Sequence, residues 1–285
     1  MKVLNKIKWL TFGGSLLVSM AFMPAPLVPV DLAEDDINAC TITNTTFRAG
    51  EQISYKVYYN LNFVWIPAGE VVFNVEGMDG QYHISAVGNT YKSYEWFFKV
   101  RDRYDSYIDA ETLLPYLSIR DVQEGGYTLY EKTTFNQGKS KARVVRGRAI
   151  DNIKEDKEYP ISTCMHDMLS ILYYARNLNY TNYNSGHRFP MDIFMDKEEW
   201  PLSVEYLGKE EEVKIKGLGH FNTIMFSPQL IAGDVFPEDA QMKVWVSDDL
   251  NKIPVMIESP LSVGSIKVVL QDYSGLRYEM GAKVN

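Results

Sequence analysis

Histidine and cysteine are scarce in this chain of 285 residues. There are four histidines (His83, His166, His187 and His220) and two cysteines (Cys40 and Cys164). No H-x3-H or C-x2-C spacing occurs, which excludes the common zinc frameworks, and no metal or other cofactor is expected. The sequence also lacks a G-x-S-x-G elbow, a P-loop and a dinucleotide fingerprint. Acidic loops such as 102–111 lack the spacing and the glycine of an EF-hand. Positive charge is in deficit, with 29 Lys and Arg against 37 Asp and Glu. A general nucleic-acid binder would carry a basic footprint instead. No coiled-coil heptad or low-complexity tract appears, and no apolar run reaches the roughly 20 residues of a membrane-spanning helix.

What is present begins with an export-signal pattern over residues 1–21. Lys2, Lys6 and Lys8 precede an apolar stretch from Trp9 to Val18, and Ser19-Met20-Ala21 forms a small-x-small cleavage site. Cleavage there removes three lysines and no acid, moving the net charge from −8 to −11. The pattern implies export from the cytoplasm. Residues 22–46 are Pro-rich, then acidic, then Thr/Asn-rich, and read as a linker or extended arm. In an oxidising compartment Cys40 and Cys164 invite a disulfide, and two unpaired thiols are the alternative. The acidic run Asp31 to Asp36 argues against lipidation at Cys40.

From Phe47 onward the apolar period is two. Ile53, Tyr55, Val57 and Tyr59 share one face of a first strand. Further strands are expected at 70–76, 82–87, 94–103, 115–122, 127–135 and 141–146, with connections too short for parallel crossovers. One helix is expected over 163–177, because Met165, Met168, Leu169, Leu172 and Tyr173 follow i, i+3, i+4, i+7, i+8 spacing. Asp167 lies where its carboxylate can bond first-turn amides. A second β series follows at 189–195, 202–207, 211–216, 221–226, 242–247, 254–259 and 265–272. Asp109 to Pro115 and Asp248 to Pro254, 139 residues apart, both read D-x4-[LI]-P. Asp caps a tight turn and Pro is best tolerated at a strand's first residue, so each segment predicts strand, polar turn, strand. The fold expected is all-β: an antiparallel meander of about 14 strands, as a strongly curved sheet or unclosed barrel, or as two packed sheets. Its halves are 47–160 and 191–285, joined by a helix and loop over 161–190.

The ordered residues of this meander resemble the bacterial domain of unknown function 3108 across roughly 47–275. The resemblance rests on Phe47-Arg-Ala-Gly50-Glu51 leading into Tyr55-Lys-Val-Tyr58-Tyr59, on Ala68-Gly69-Glu70, and on the Phe98–Tyr104 segment with its turn to Pro115. The helix from Asp167 to Arg176 and the closing Val244–Val255 complete it. The resemblance implies an exported, β-rich envelope protein of a Gram-negative bacterium, periplasmic or outer-membrane-associated, and supplies no catalytic residues. At the level of fold the grammar is similar to the periplasmic lipoprotein-carrier superfamily, unclosed barrels with helices plugging an apolar cavity.

No catalytic residue is assigned. His166 and Asp167 are adjacent on the expected helix and point about 100° apart, so they cannot couple. The expected ligand-binding residues are Tyr94, Trp96, Phe98 and Tyr107 of an aromatic stretch, with Met165, Met168 and Tyr173 on the helix; aromatics filling a β-protein's core are the competing reading. Lys139, Lys141 and Arg143 share a strand face suited to anions, or to a charge-protected edge. The function expected is non-enzymatic binding of an apolar or amphiphilic envelope component, a lipid or glycan, with an envelope protein as a possible partner. A carbohydrate hydrolase using a carboxylate pair near the aromatic stretch (Glu95, Asp102) and an assembly module are the alternatives.

Overall fold

The computed structural model describes residues 40, 42–61, 64–96, 98–231, 236–237 and 239–284. The export signal, most of the arm and Phe97 lie outside the described residues.

Among the described residues, fifteen strands form one antiparallel sheet. The first eight are β1 (Gln52–Leu61), β2 (Val64–Met78), β3 (Gln81–Thr90), β4 (Val100–Asp109), β5 (Pro115–Glu124), β6 (Tyr127–Asn136), β7 (Lys141–Gly147) and β8 (Ile153–Pro160). A crossover carrying helix α1 (Ser170–Arg176) leads to β9 (Arg188–Met195), β10 (Glu198–Ile215), β11 (Gly219–Pro228), β12 (Lys243–Ser247), β13 (Pro254–Pro260) and β14 (Ser265–Ser274). The short β15 (Lys283–Val284) pairs with β11. The sheet runs from β8 down to β1, then from β14 down to β9, so β1 pairs with both β2 and β14. No ladder joins β8 to β9 among the described residues. The all-β, unclosed meander expected from the alternation is the fold found.

The β8/β9 seam is filled by the crossover. His166 donates its backbone N–H to the Asp192 carbonyl (3.3 Å) and accepts from Phe194 N–H (2.8 Å), a parallel bridge to β9. Side chains add contacts across the seam: Lys197 meets Glu155 of β8 at 3.2 Å, and Ser162 Oγ donates to Glu199 at 2.8 Å. Asp196, in the β9–β10 turn, lies 3.1 Å from Arg120 and 2.8 Å from Arg146, which also flank the buried Glu131.

Three local expectations are corrected. The helix is half as long as the apolar spacing predicts. Cys164 has a left-handed φ of 62° and is disulfide-bonded to Cys40, with Cα atoms 5.3 Å apart, and His166 spends its backbone groups on β9. Helical structure therefore starts only after Asp167, whose Oδ1 accepts Leu169 N–H (2.7 Å) and Ser170 N–H (3.0 Å). The strand expected at 94–103 begins at Val100, whose N–H is held by Thr90 Oγ1 at 3.0 Å, and 92–94 form a 3-10 turn instead. The strands expected at 202–207 and 211–216 are one, β10, bent at register shifts beside Gly208 (φ 114°) and Glu212 (φ 54°).

Both D-x4-[LI]-P segments are strand-turn-strand. Pro115 opens β5 and Pro254 opens β13, while Leu114 and Ile253 are buried. Leu113 (φ 59°) and Lys252 (φ 48°) are both left-handed, each two residues before the proline. Asp109 Oδ1 accepts the N–H groups of Glu111 and Thr112. In the second turn that role belongs to Asp249, which accepts from Asn251 and Lys252, and Asp248 pairs with Lys209 at 2.6 Å.

Candidate ligand cavity

Alternation along a curved sheet turns every second side chain inward, and α1 lies against that face. Between them is a cavity of about 420 Å³, within the size range of small-molecule sites. From the centre of the sheet, Ile53 and Tyr55 of β1 and Val71 and Phe73 of β2 form one wall. The second half of the sheet adds Val204 of β10, Phe226 of β11, Val244 and Val246 of β12, and Ile257 of β13. Helix α1 contributes Ile171, Leu172, Tyr173 and Ala175, with Leu172 49% exposed. Met191 and Ile193 of β9 complete the side next to the seam.

The polar groups on this lining are mostly satisfied from within. Tyr55 donates its hydroxyl to the Pro254 carbonyl (3.0 Å), Tyr180 donates to Ala175 O, and Ser203 Oγ donates to Gln229 Oε1 (3.2 Å). Burial pushes the Tyr55, Tyr173 and Tyr180 hydroxyls well above the usual phenol range, so they stay neutral. At the helix end Arg176 forms a two-pronged pair with Glu51, at 2.6 and 2.8 Å, and also donates to the Asn251 and Thr46 carbonyls. Its guanidinium lies 5.6 Å from the Phe47 ring centroid and 5.0 Å from that of Tyr173. Glu51 comes from the segment leading into β1 and Arg176 ends α1, so this pair fixes the helix against the sheet.

Of the seven residues expected to bind ligand, Tyr173 lines this cavity. Met165 is buried elsewhere, packed with Phe135, Val144 and Phe194, and Met168 is 37% exposed. Tyr94 sits in the 3-10 turn and Trp96 beside it is 81% exposed. Phe98 lies over Gly125, in the β5–β6 turn, where an added Cβ would come within 3.1 Å of its ring. Tyr107 stacks on His83, with centroids 4.3 Å apart. The aromatic stretch and the helix residues are therefore not gathered at one place. Of the expected anion-binding residues, Arg143 is bidentate to Asp156 (2.7 and 2.5 Å) and Lys141 lies 3.2 Å from Glu158. Both pair with edge strand β8, and Lys139 sits in the preceding 3-10 turn.

Several acidic groups outside the cavity are paired. Glu95 meets Arg101. Asp102 and Glu124 hydrogen-bond to each other, and burial together with the Asp102 charge pushes the Glu124 carboxyl up to about 7. His166 is held neutral by burial, its pKa pushed down to about 3. No cluster of three or more metal-ligating side chains occurs among the described residues. Nor is any described helix long and apolar enough to cross a membrane.

Sequence reasoning missed most of the cavity wall. Val204, Phe226, Val246 and Ile257 are ordinary inward positions of their strands, contributed one or two at a time. The signal that could have found them is the alternation itself, read with the D-x4-[LI]-P turn that sets the register of β12 and β13.

A long meander whose end strands meet through the crossover, a short helix against its inner face, and an apolar interior define a β-barrel-like protein. The chain belongs to the family described as Protein of unknown function (DUF3108), whose family model matches residues 54–271. Among solved structures it is similar to a beta-barrel-like protein of domain of unknown function DUF1849 from Brucella abortus. The TM-score is 0.52 at 8% identity, covering 80% of this chain and 99% of that one, a likeness of fold alone. The hypothetical protein CT021 from Chlamydia trachomatis aligns at a TM-score of 0.33 and 6% identity, over 84% of this chain and 93% of that one. No curated protein matches the sequence.

Proposed function

We propose that this protein binds an apolar or amphiphilic component of the cell envelope, non-covalently, inside the sheet. The observation that carries this reading is the cavity of about 420 Å³. Its walls are aliphatic and aromatic, and nearly every polar group on them is already paired within the protein. Such a lining offers a ligand desolvation of hydrocarbon, at about 25 cal/mol per Å² of apolar surface buried, and few directional contacts. Half-exposed Leu172 gives the cavity a rim on the short helix, where a chain can enter.

An extracytoplasmic site of action is part of the proposal. It is supported by the export-signal pattern of residues 1–21 and by the Cys40–Cys164 disulfide, a bond that persists in oxidising compartments.

The test is native mass spectrometry of protein isolated without detergent from the envelope fraction, followed by solvent extraction and re-addition of the extract. A bound mass that is lost on extraction and regained from the extract is expected. Protein that carries nothing and takes up nothing refutes the reading.

A further inference from the structure

The cavity wall carries two cations, Arg176 and Lys252, and no Asp or Glu among the described residues. In a chain whose net charge is −8, an acid-free wall is a chemical statement about what belongs there. The two cations differ. Arg176 is matched by Glu51, which sits just behind the wall. Lys252 has no such partner among the described residues.

Lys252 stands in the turn between β12 and β13 with a left-handed φ of 48°. Asp249 holds its backbone N–H at 3.1 Å, so the turn itself fixes its position. Its Nζ donates to the Leu178 carbonyl at 2.9 Å and lies 5.5 Å from the Tyr180 ring centroid. An ammonium has three donors. No described carboxylate forms an ion pair with it, and its burial, uncompensated by negative charge, lowers its pKa. A half-buried cation on the wall of an apolar space is stabilised by an anion that arrives with its own hydrocarbon.

Resting on the binding function proposed above, we infer that the ligand is an anionic amphiphile whose head, a carboxylate or phosphate, meets Lys252 while its hydrocarbon chain fills the cavity. The head alone is insufficient, because one ammonium with one carbonyl contact is a weak anion site in water. The chain alone forgoes the charge pairing. The selectivity therefore requires both on one molecule.

The test is calorimetric titration of the delipidated full-length mature protein with four twelve-carbon amphiphiles: dodecanoate, dodecyl phosphate, dodecyl maltoside and dodecyltrimethylammonium. Acetate and inorganic phosphate serve as chain-free controls. The two anionic amphiphiles are expected to bind at least about tenfold more tightly than the other two, the tenfold corresponding to one modest charge pairing. Neither control should bind in the same concentration range. Lys252→Met should remove the preference for anionic heads, bringing dodecanoate and dodecyl phosphate to the affinity that the same variant shows for dodecyl maltoside, and Lys252→Arg should retain the preference. If Lys252→Met does not fold, the head-group series on the wild type and on Lys252→Arg decides. Equal binding of all four heads overturns the head-group assignment and leaves the cavity function standing. Binding of free phosphate as tight as that of dodecyl phosphate overturns the requirement for a chain. Absence of binding by all four overturns the binding function itself, and the inference with it.

Discussion

Arg176→Met gives the sharpest energetic prediction. The Arg176 and Glu51 side chains are 5% and 0% exposed, and the two prongs of their pair measure 2.6 and 2.8 Å. Methionine fills a similar volume and removes the charge, leaving the Glu51 carboxylate buried with no cation beside it. It also releases the Asn251 and Thr46 carbonyls from their donor. Breaking a buried pair from one side typically costs roughly 3–5 kcal/mol. At about 2–4 °C per kcal/mol for a domain of this size, the melting temperature should fall by roughly 6–20 °C. Urea unfolding followed by tryptophan fluorescence measures the free energy, and circular dichroism measures the melt. Adding Glu51→Gln to the same protein removes the stranded charge and should recover much of the loss, because a buried pair owes most of its apparent value to the penalty of splitting it. A loss below about 1 kcal/mol for Arg176→Met, the scale of an exposed pair, would refute the placement of this pair in a dry helix–sheet junction.

Other expected outcomes follow from the same geometry. Replacing Cys40 by Ser opens a cross-link spanning 124 residues and should cost about 2–4 kcal/mol in urea unfolding; an unchanged midpoint would show that the bond does not constrain the chain. For Glu124, the folded protein keeps a proton that the unfolded chain releases, so its contribution to stability falls as pH rises from about 4.5 to about 7. Glu124→Gln should thus gain stability relative to wild type at pH 8 and show no such gain at pH 4, and parallel pH profiles contradict this. His166 works in the opposite direction, neutral in the fold down to about pH 3, so its contribution is lost as pH falls below about 6.5. His166→Gln should flatten that acid limb in pH-dependent melts. Arg143→Gln breaks a solvent-exposed pair with Asp156 and should leave the melting temperature unchanged by differential scanning fluorimetry.

Much of the fold was legible because alternation and turn chemistry are local. The two proline-started strands, β5 and β13, sit where Asp and Pro spacing put them. Strand β8 was not legible, since Lys154-Glu-Asp-Lys-Glu158 has no apolar alternation. It is held by β7 through ladder bonds and cross-strand pairs such as Arg143–Asp156. The helix start was misread because the apolar spacing of Met165 and Met168 is indifferent to a left-handed Cys164 and to the bridge at His166. Most of the site was illegible for a different reason. A dense aromatic window such as Tyr91–Tyr107 reports local hydrophobicity, whereas a cavity is made where the curved sheet leaves space. In the sequence Lys252 reads as one polar residue in a polar turn. Its meaning comes from the acid-free wall that β1, β2 and β10 to β13 build around it.

The most direct measurement of the central claim is the affinity of dodecanoate for wild type and for Val268→Trp, whose added bulk projects from β14 into the cavity. Calorimetry on both proteins, with circular dichroism to verify an unchanged sheet, should give one site on the wild type and none on the variant. Equal affinity for the two proteins would contradict the claim that the cavity between helix and sheet is the binding site.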